Sequence, residues 1–128
     1  MAAGKYSFVI EQGSTTNFEI QYKDSSNNPV DLTGYSGRMM IRSAYADNNP
    51  TTYVTLLNSL DPDGTGLNFY GSAGTMPLTS GSIGIFISAA SSSALTFTEA
   101  VYDLEIVSGS VVTRLLEGKV KLSKEVTR

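Results

Sequence analysis

Residues 100–128 read AVYDLEIVSGSVVTRLLEGKVKLSKEVTR, and this stretch decides the fold. Tyr102, Leu104 and Ile106 occupy every second position, so one side of an extended segment faces a core while the carboxylates between them face water. Ser108-Gly109-Ser110 then reverses the chain, and a second extended run continues from Val111 to Leu122. The stretch therefore predicts a β-hairpin with one wet face.

The rest of the chain repeats this pattern in shorter pieces. Further alternating or apolar runs lie at 6–10, 17–23, 35–43, 53–57, 67–70 and 83–87. Residues 76–78 form an edge strand at most, because Pro77 cannot donate to a ladder. Turn signals separate them every 8–12 residues, which is typical of all-β sandwiches. We predict one all-β domain over residues 1–128, a single antiparallel β-sandwich of seven to nine short strands. Residues 88–95 supply at most one short helical turn, with Ser88 as its N-cap.

Composition excludes several function classes. The chain has no cysteine and no histidine, which removes thiol chemistry, the commonest general base and the commonest metal ligand. Nine Lys and Arg are scattered among twelve carboxylates, a net charge of −3, so we expect no nucleic-acid partner and no membrane partner. Residues 1–10 lack the apolar stretch of a signal peptide, which predicts synthesis in the cytoplasm.

Three local patterns resemble chemical sites, but each lacks residues or elements that such a site requires. Asp61-Pro62-Asp63-Gly64 resembles a calcium loop, but Thr65 and Ser72 stand where further ligands belong. The glycine pairs at 64–66 and 71–74 are followed by no helix that would cradle a phosphate. Serines are abundant but lack a partner base. We therefore expect a non-enzymatic protein with no catalytic residues, no cofactor and no metal.

Apolar residues on the strand faces that are predicted to be solvent-exposed are more informative about function than these three patterns. If Met39 and Ile41 face the core, Met40 faces outward between Arg38 and Arg42, and Phe86 faces outward between buried isoleucines. Exposed large apolar groups with arginine beside them are typical of protein interfaces. Arg38, Met40, Arg42 and Phe86 are thus the candidate partner surface. The alternative is that a loop of the same chain covers Met40 and Phe86.

Arg114 is out of place in a regular strand, because the register of Val112 and Leu116 points it toward the core. Two explanations are open. A bulge at Gly118 resets the register, or the guanidinium pairs with a carboxylate such as Asp31 or Asp103.

Three ordered stretches carry a family resemblance. They are Phe8-Val9-Ile10-Glu11-Gln12-Gly13, then 29–35 (PVDLTGY) leading into Met40-Ile41-Arg42, and 101–105 (VYDLE) through 113–118 (TRLLEG). Together they resemble small tailed-bacteriophage virion proteins and the immunoglobulin-like N-terminal domains of phage baseplate upper proteins. The resemblance implies an immunoglobulin-like fold and a structural role in a virion, at the tail or baseplate, in several copies among other virion proteins.

Two other functions stay open at this point. One is a capsid decoration or cement protein, which belongs to the same virion class. The other is a carbohydrate-binding module of a host-recognition apparatus, with Tyr45, Tyr53 and Tyr70 as stacking faces.

Overall fold

Nine strands and two short helical turns make up the part of the chain that the computed structural model describes, residues 4–43 and 51–124. The strands are β1 Gly4–Lys5, β2 Phe8–Glu11, β3 Thr16–Gln21, β4 Ser36–Arg42, β5 Thr52–Leu57, β6 Gly66–Asn68, β7 Ser82–Ile87, β8 Glu99–Ser108 and β9 Val111–Ser123. The turns are α1 Ala89–Ser93 and a 3₁₀ helix at Leu78–Ser80. The predicted helical turn is confirmed, with the Ser88 hydroxyl accepting from the Ser91 N–H at 3.0 Å. At 76–78 no strand forms.

The predicted C-terminal hairpin is confirmed. Strands β8 and β9 pair antiparallel from Glu99 opposite Lys121 to Ser108 opposite Val111, and Gly109 makes the turn with a positive φ of 59°. The register shifts between Leu104 and Glu105, because Leu115 of β9 has no partner across the ladder. A single extra residue of this kind is a β-bulge.

This bulge resolves the question of Arg114. It lies at Leu115 and not at Gly118, where the sequence had suggested it. On the hairpin-turn side of the bulge, Arg114 is opposite Glu105 and faces water, and its Nε lies 3.5 Å from Asp103 Oδ2. Both explanations thus hold in part: a bulge is present at a different residue, and the guanidinium pairs with Asp103.

The larger sheet has the order β1-β9-β8-β4-β5, with β2 also on the free edge of β9. Strands β1 and β2 run parallel to β9, unlike the antiparallel arrangement that the sequence favoured. Strands β3 to β8 lie between β2 and β9 in the sequence. This long connection allows the parallel pairing without a helical crossover. The remaining pairs in both sheets are antiparallel.

The smaller sheet has the order β3-β7-β6 and packs on the inner face of the larger one. Ile83, Ile85 and Ile87 of β7 are fully buried, together with Met39 and Leu104 of the opposite sheet. The orders β3-β7-β6 and β9-β8-β4-β5 correspond to the B-E-D and G-F-C-C′ sheets of the immunoglobulin fold. The chain has no cysteine, so apolar packing joins the two sheets without a disulfide.

The N-terminal strands are attached at one crowded point. Between β1 and β2, the carbonyl of Tyr6 accepts a hydrogen bond from the Tyr102 hydroxyl and lies directly against Gly118 of β9. A Cβ at Gly118 would overlap that carbonyl oxygen and would lie 2.7 Å from its carbon. The Tyr102 ring is 2% exposed and meets Phe8 edge-on at 5.1 Å. Glycine is therefore required sterically at 118.

Gly118→Ala should displace Tyr6 from β9 and lower the free energy of unfolding by about 1–3 kcal/mol, the usual cost of overpacking. Urea unfolding measures this loss. Gly4→Ala is the matched control, because its Cβ would meet the Leu116 Cδ1 at an ordinary 3.4 Å. Equal stability of Gly118→Ala and wild type would contradict the crowding of Tyr6 against β9.

Candidate interaction surface

Strand β4 places three of the four predicted interface residues together on the outer face of the larger sheet. Gly37, Met39 and Ile41 are buried, so the side chains between and beyond them point outward. Arg38 is exposed, whereas Met40 and Arg42 are half-buried. Arg38, Met40 and Arg42 therefore form one row on this face.

Phe86 lies elsewhere, on the outer face of the smaller sheet. A Cβ at Gly64 would lie 3.3 Å from the Phe86 ring, and Phe86, Leu60 and Ser72 line a cavity of about 180 Å³. A loop of the same chain thus partly covers Phe86. This is the alternative that the sequence left open for Phe86, which is therefore not part of the candidate surface on β4.

Ion pairs surround Met40 on the outer face of β4, β8 and β9. The Arg38 Nε lies 2.8 Å from Glu105 Oε1, and Arg114 pairs with Asp103, the residue directly opposite Met40. Exposed pairs of this kind contribute about 0–1 kcal/mol each, so their main effect is to fix side-chain positions. We call Arg38, Met40, Arg42, Asp103 and Glu105 the β4–β8 surface.

Burial raises the pKa of Asp103 above its usual 3.8, and the neighbouring Glu105 raises it further. The Arg114 guanidinium acts in the opposite direction and offsets part of that rise. Ionisation of Asp103 therefore costs the folded state free energy.

An apolar patch extends this face toward the hairpin turn and was missed by sequence reasoning. Val112 is opposite Val107 on the outer side and is 50% exposed. Val111, opposite Ser108 and 64% exposed, lies on the other side of the strand, next to the turn. The signal was present in the sequence, because two consecutive valines in a strand cannot both face the core.

Asp63 is held in a network of hydroxyl groups at the other end of the sandwich. Its Oδ2 accepts from the Ser88 hydroxyl at 2.6 Å, and its Oδ1 accepts from the Thr65 N–H at 3.0 Å. These hydrogen bonds lower the pKa of Asp63 from 3.8 to about 2. The predicted turn at 61–64 is thereby fastened to the helical turn α1.

Among the described residues, no group of three acidic, histidine or cysteine side chains is placed to hold a metal.

A cleft of about 330 Å³ opens where the β3–β4 loop meets the loops on either side of β6. Tyr35 and the half-exposed Tyr70 line it together with Asn58 and Asn68. Of the other tyrosines that the sequence had suggested, Tyr53 is stacked on Phe97 at 4.7 Å, and Tyr45 lies outside the described residues. Of the two described tyrosines among those three, Tyr70 lines the cleft and Tyr53 does not.

No family model and no curated protein sequence matches this chain. Solved structures match it in fold, among them a chicken TCR with a TM-score of 0.50 and 15% sequence identity. That match covers 94% of this chain and 54% of the receptor chain, so this chain spans about half the length of its structural neighbour. The similarity shows an immunoglobulin-like β-sandwich.

In the described part of the chain, no helix combines the length and the hydropathy that a membrane crossing requires.

Asp63→Asn should remove an acid-dependent part of the stability. Because the folded-state pKa is lowered, Asp63 stabilises the fold above about pH 4, and this contribution disappears as the pH falls toward 2. Urea unfolding from pH 7 to pH 2 should show wild type exceeding the variant at neutral pH and converging with it in acid. A difference that stays constant with pH would contradict this role.

Asp103→Asn is the matched comparison, and its effect on stability should change with pH in the opposite direction. The raised pKa means that the folded state takes up a proton first, so wild type should gain stability relative to this variant as the pH falls toward 3.8.

Proposed function

We propose that the chain is a non-enzymatic structural component of a bacteriophage virion, a tail- or baseplate-associated adaptor that acts through protein–protein contacts. It is assembled with other virion proteins in several copies. The three sequence stretches that resemble phage virion proteins support this assignment. The immunoglobulin-like fold is compatible with it, although a fold alone does not define a function.

The observation that carries the proposal is the construction of the β4–β8 surface. Met40 lies among paired arginines and carboxylates on a continuous sheet, and an apolar patch of valines extends it toward the hairpin turn. Apolar centres with arginine and a polar rim are typical of protein interfaces. Because ladder hydrogen bonds hold the strands, the surface is preorganised and loses little entropy on docking.

Tailed particles purified from bacteria that encode this chain should contain it, as detected by mass spectrometry. Met40→Glu places an unpaired carboxylate beside Asp103, and a particle carrying this variant should contain far fewer copies of the chain. Ser25→Glu, in the exposed turn between β3 and β4 and outside both proposed surfaces, is the control and should be incorporated normally. Absence of the wild-type chain from purified particles would remove the proposal.

Counting copies in the same particles separates the two virion roles. A decoration protein covers the head and is far more abundant than a tail or baseplate component, so a copy number close to that of the major capsid protein would favour decoration.

A carbohydrate-binding module is the second candidate, favoured by the cleft that holds Tyr70. The side-chain oxygens of Asn58 and Asn68 accept from the backbone at 3.2 and 2.9 Å, so their amide N–H groups are left to donate to sugar hydroxyls beside an aromatic face. A glycan array should then show binding that Tyr70→Ala abolishes and that Tyr53→Phe leaves intact. An array without hits would exclude this candidate.

A further inference from the structure

Strand β3 has a free edge. Within the described residues it pairs with β7 alone, and it ends the smaller sheet. The Tyr22 N–H donates to the Gly81 carbonyl at 2.8 Å, just beyond the β3–β7 ladder. Hydrogen-bonding direction alternates along a strand, so the backbone groups of Asn17, Glu19 and Gln21 point away from β7.

This edge is the position that another strand fills in the four-stranded A-B-E-D version of the sheet. Here the N-terminal segment does not fill it, because β1 and β2 are both bonded to β9 of the opposite sheet. The free edge therefore follows from the parallel pairing that Gly118 permits.

A groove with an aromatic floor runs beside this edge. It has a volume of about 420 Å³ and lies between β2 and β3. The Phe18 ring lies 5.1 Å from Phe8 and 5.7 Å from Tyr6, and Tyr6 is 46% exposed. Apolar side chains entering the groove would meet these rings.

The charge of the groove selects among partners. Glu11 is the charged residue in its lining. Glu19 lies on the free edge, where its Oε1 accepts from the Ser72 N–H at 2.8 Å and its carboxylate remains an exposed negative charge. Pairing two copies of β3 about Glu19 would set two carboxylates directly opposite each other, which is unfavourable. A strand that carries cations is favoured instead.

We propose that β3 binds an extended segment of a partner polypeptide by strand addition, with apolar side chains at alternate positions over Tyr6, Phe8 and Phe18, and lysine or arginine at the positions between them. Alternation in a strand places these two sets on opposite faces, so the cations lie beside Glu19. This proposal rests on the proposed function in that both require a protein partner, and it names the surface and the kind of segment that binds there.

The probe is a capped eight-residue peptide of alternating lysine and valine, titrated into the isotope-labelled chain and followed by NMR. The amide signals of Asn17, Glu19 and Gln21 should shift, and their hydrogen exchange should slow as new backbone hydrogen bonds form. The amide of Thr55, on the edge strand β5 of the other sheet, should not change. A peptide in which glutamate replaces lysine should bind more weakly.

Two substitutions on β3 and a control substitution on β5 separate strand addition from a general charge effect. Asn17→Pro removes an N–H that points away from β7, so the sheet is kept and peptide binding should be lost, whereas Thr55→Pro on β5 should bind normally. Asn17→Lys, on the same face as Glu19, should weaken binding of the lysine peptide about fivefold while leaving the Ser72–Glu19 hydrogen bonds in place. Thermal unfolding checks that each variant is folded, and the wild-type exchange data decide the matter if Asn17→Pro does not fold.

No saturable binding, equal binding of the glutamate peptide, or protection at Thr55 in place of β3 would each overturn the proposal. Virion incorporation is measured separately. A chain that is present in particles but shows no protection along β3 would overturn strand addition and leave the virion role standing.

Discussion

The register of β9 is the constraint on which the rest of the structure depends. This strand is bonded along both edges, to β8 on one side and to β1 and β2 on the other. One extra residue at Leu115 sets which side chains face water beyond the bulge. A slip by one residue would exchange the two faces of the strand. The bulge therefore fixes the inner packing and the outer charges together.

Both of the surfaces that carry the proposals follow from this register. On the turn side of the bulge, Arg114 stands outside and reaches Asp103, which fixes one end of the β4–β8 surface. Beyond the bulge, Gly118 comes opposite Tyr102, and this pair receives the Tyr6 carbonyl. The N-terminal strands are thereby committed to the larger sheet, and the edge of β3 stays open. One backbone irregularity thus links an ion-paired face to a groove with a free strand edge.

Much of the fold could be predicted because alternation is a local signal. Ile83, Ile85 and Ile87 mark a core strand without knowledge of any partner, and Ser88 marks the start of the short helical turn. The outward direction of Met40 follows from the same alternation. The position of the bulge could not be predicted, because Leu115 and Leu116 look equivalent in sequence and only cross-strand packing distinguishes them. Likewise, the turn that contains Gly64 partly covers Phe86. This contact joins separate segments of the chain, and the alternation of apolar residues within one strand does not encode it.

Cross-strand nuclear Overhauser contacts in the β8–β9 hairpin test the central claim most directly. With the bulge at Leu115, backbone contacts should join Tyr102 to Gly118 and Leu104 to Leu116. Contacts that join Tyr102 to Glu117 and Leu104 to Leu115 would show a regular hairpin. That result would contradict the register and, with it, the placement of Tyr6 and of the charged outer face.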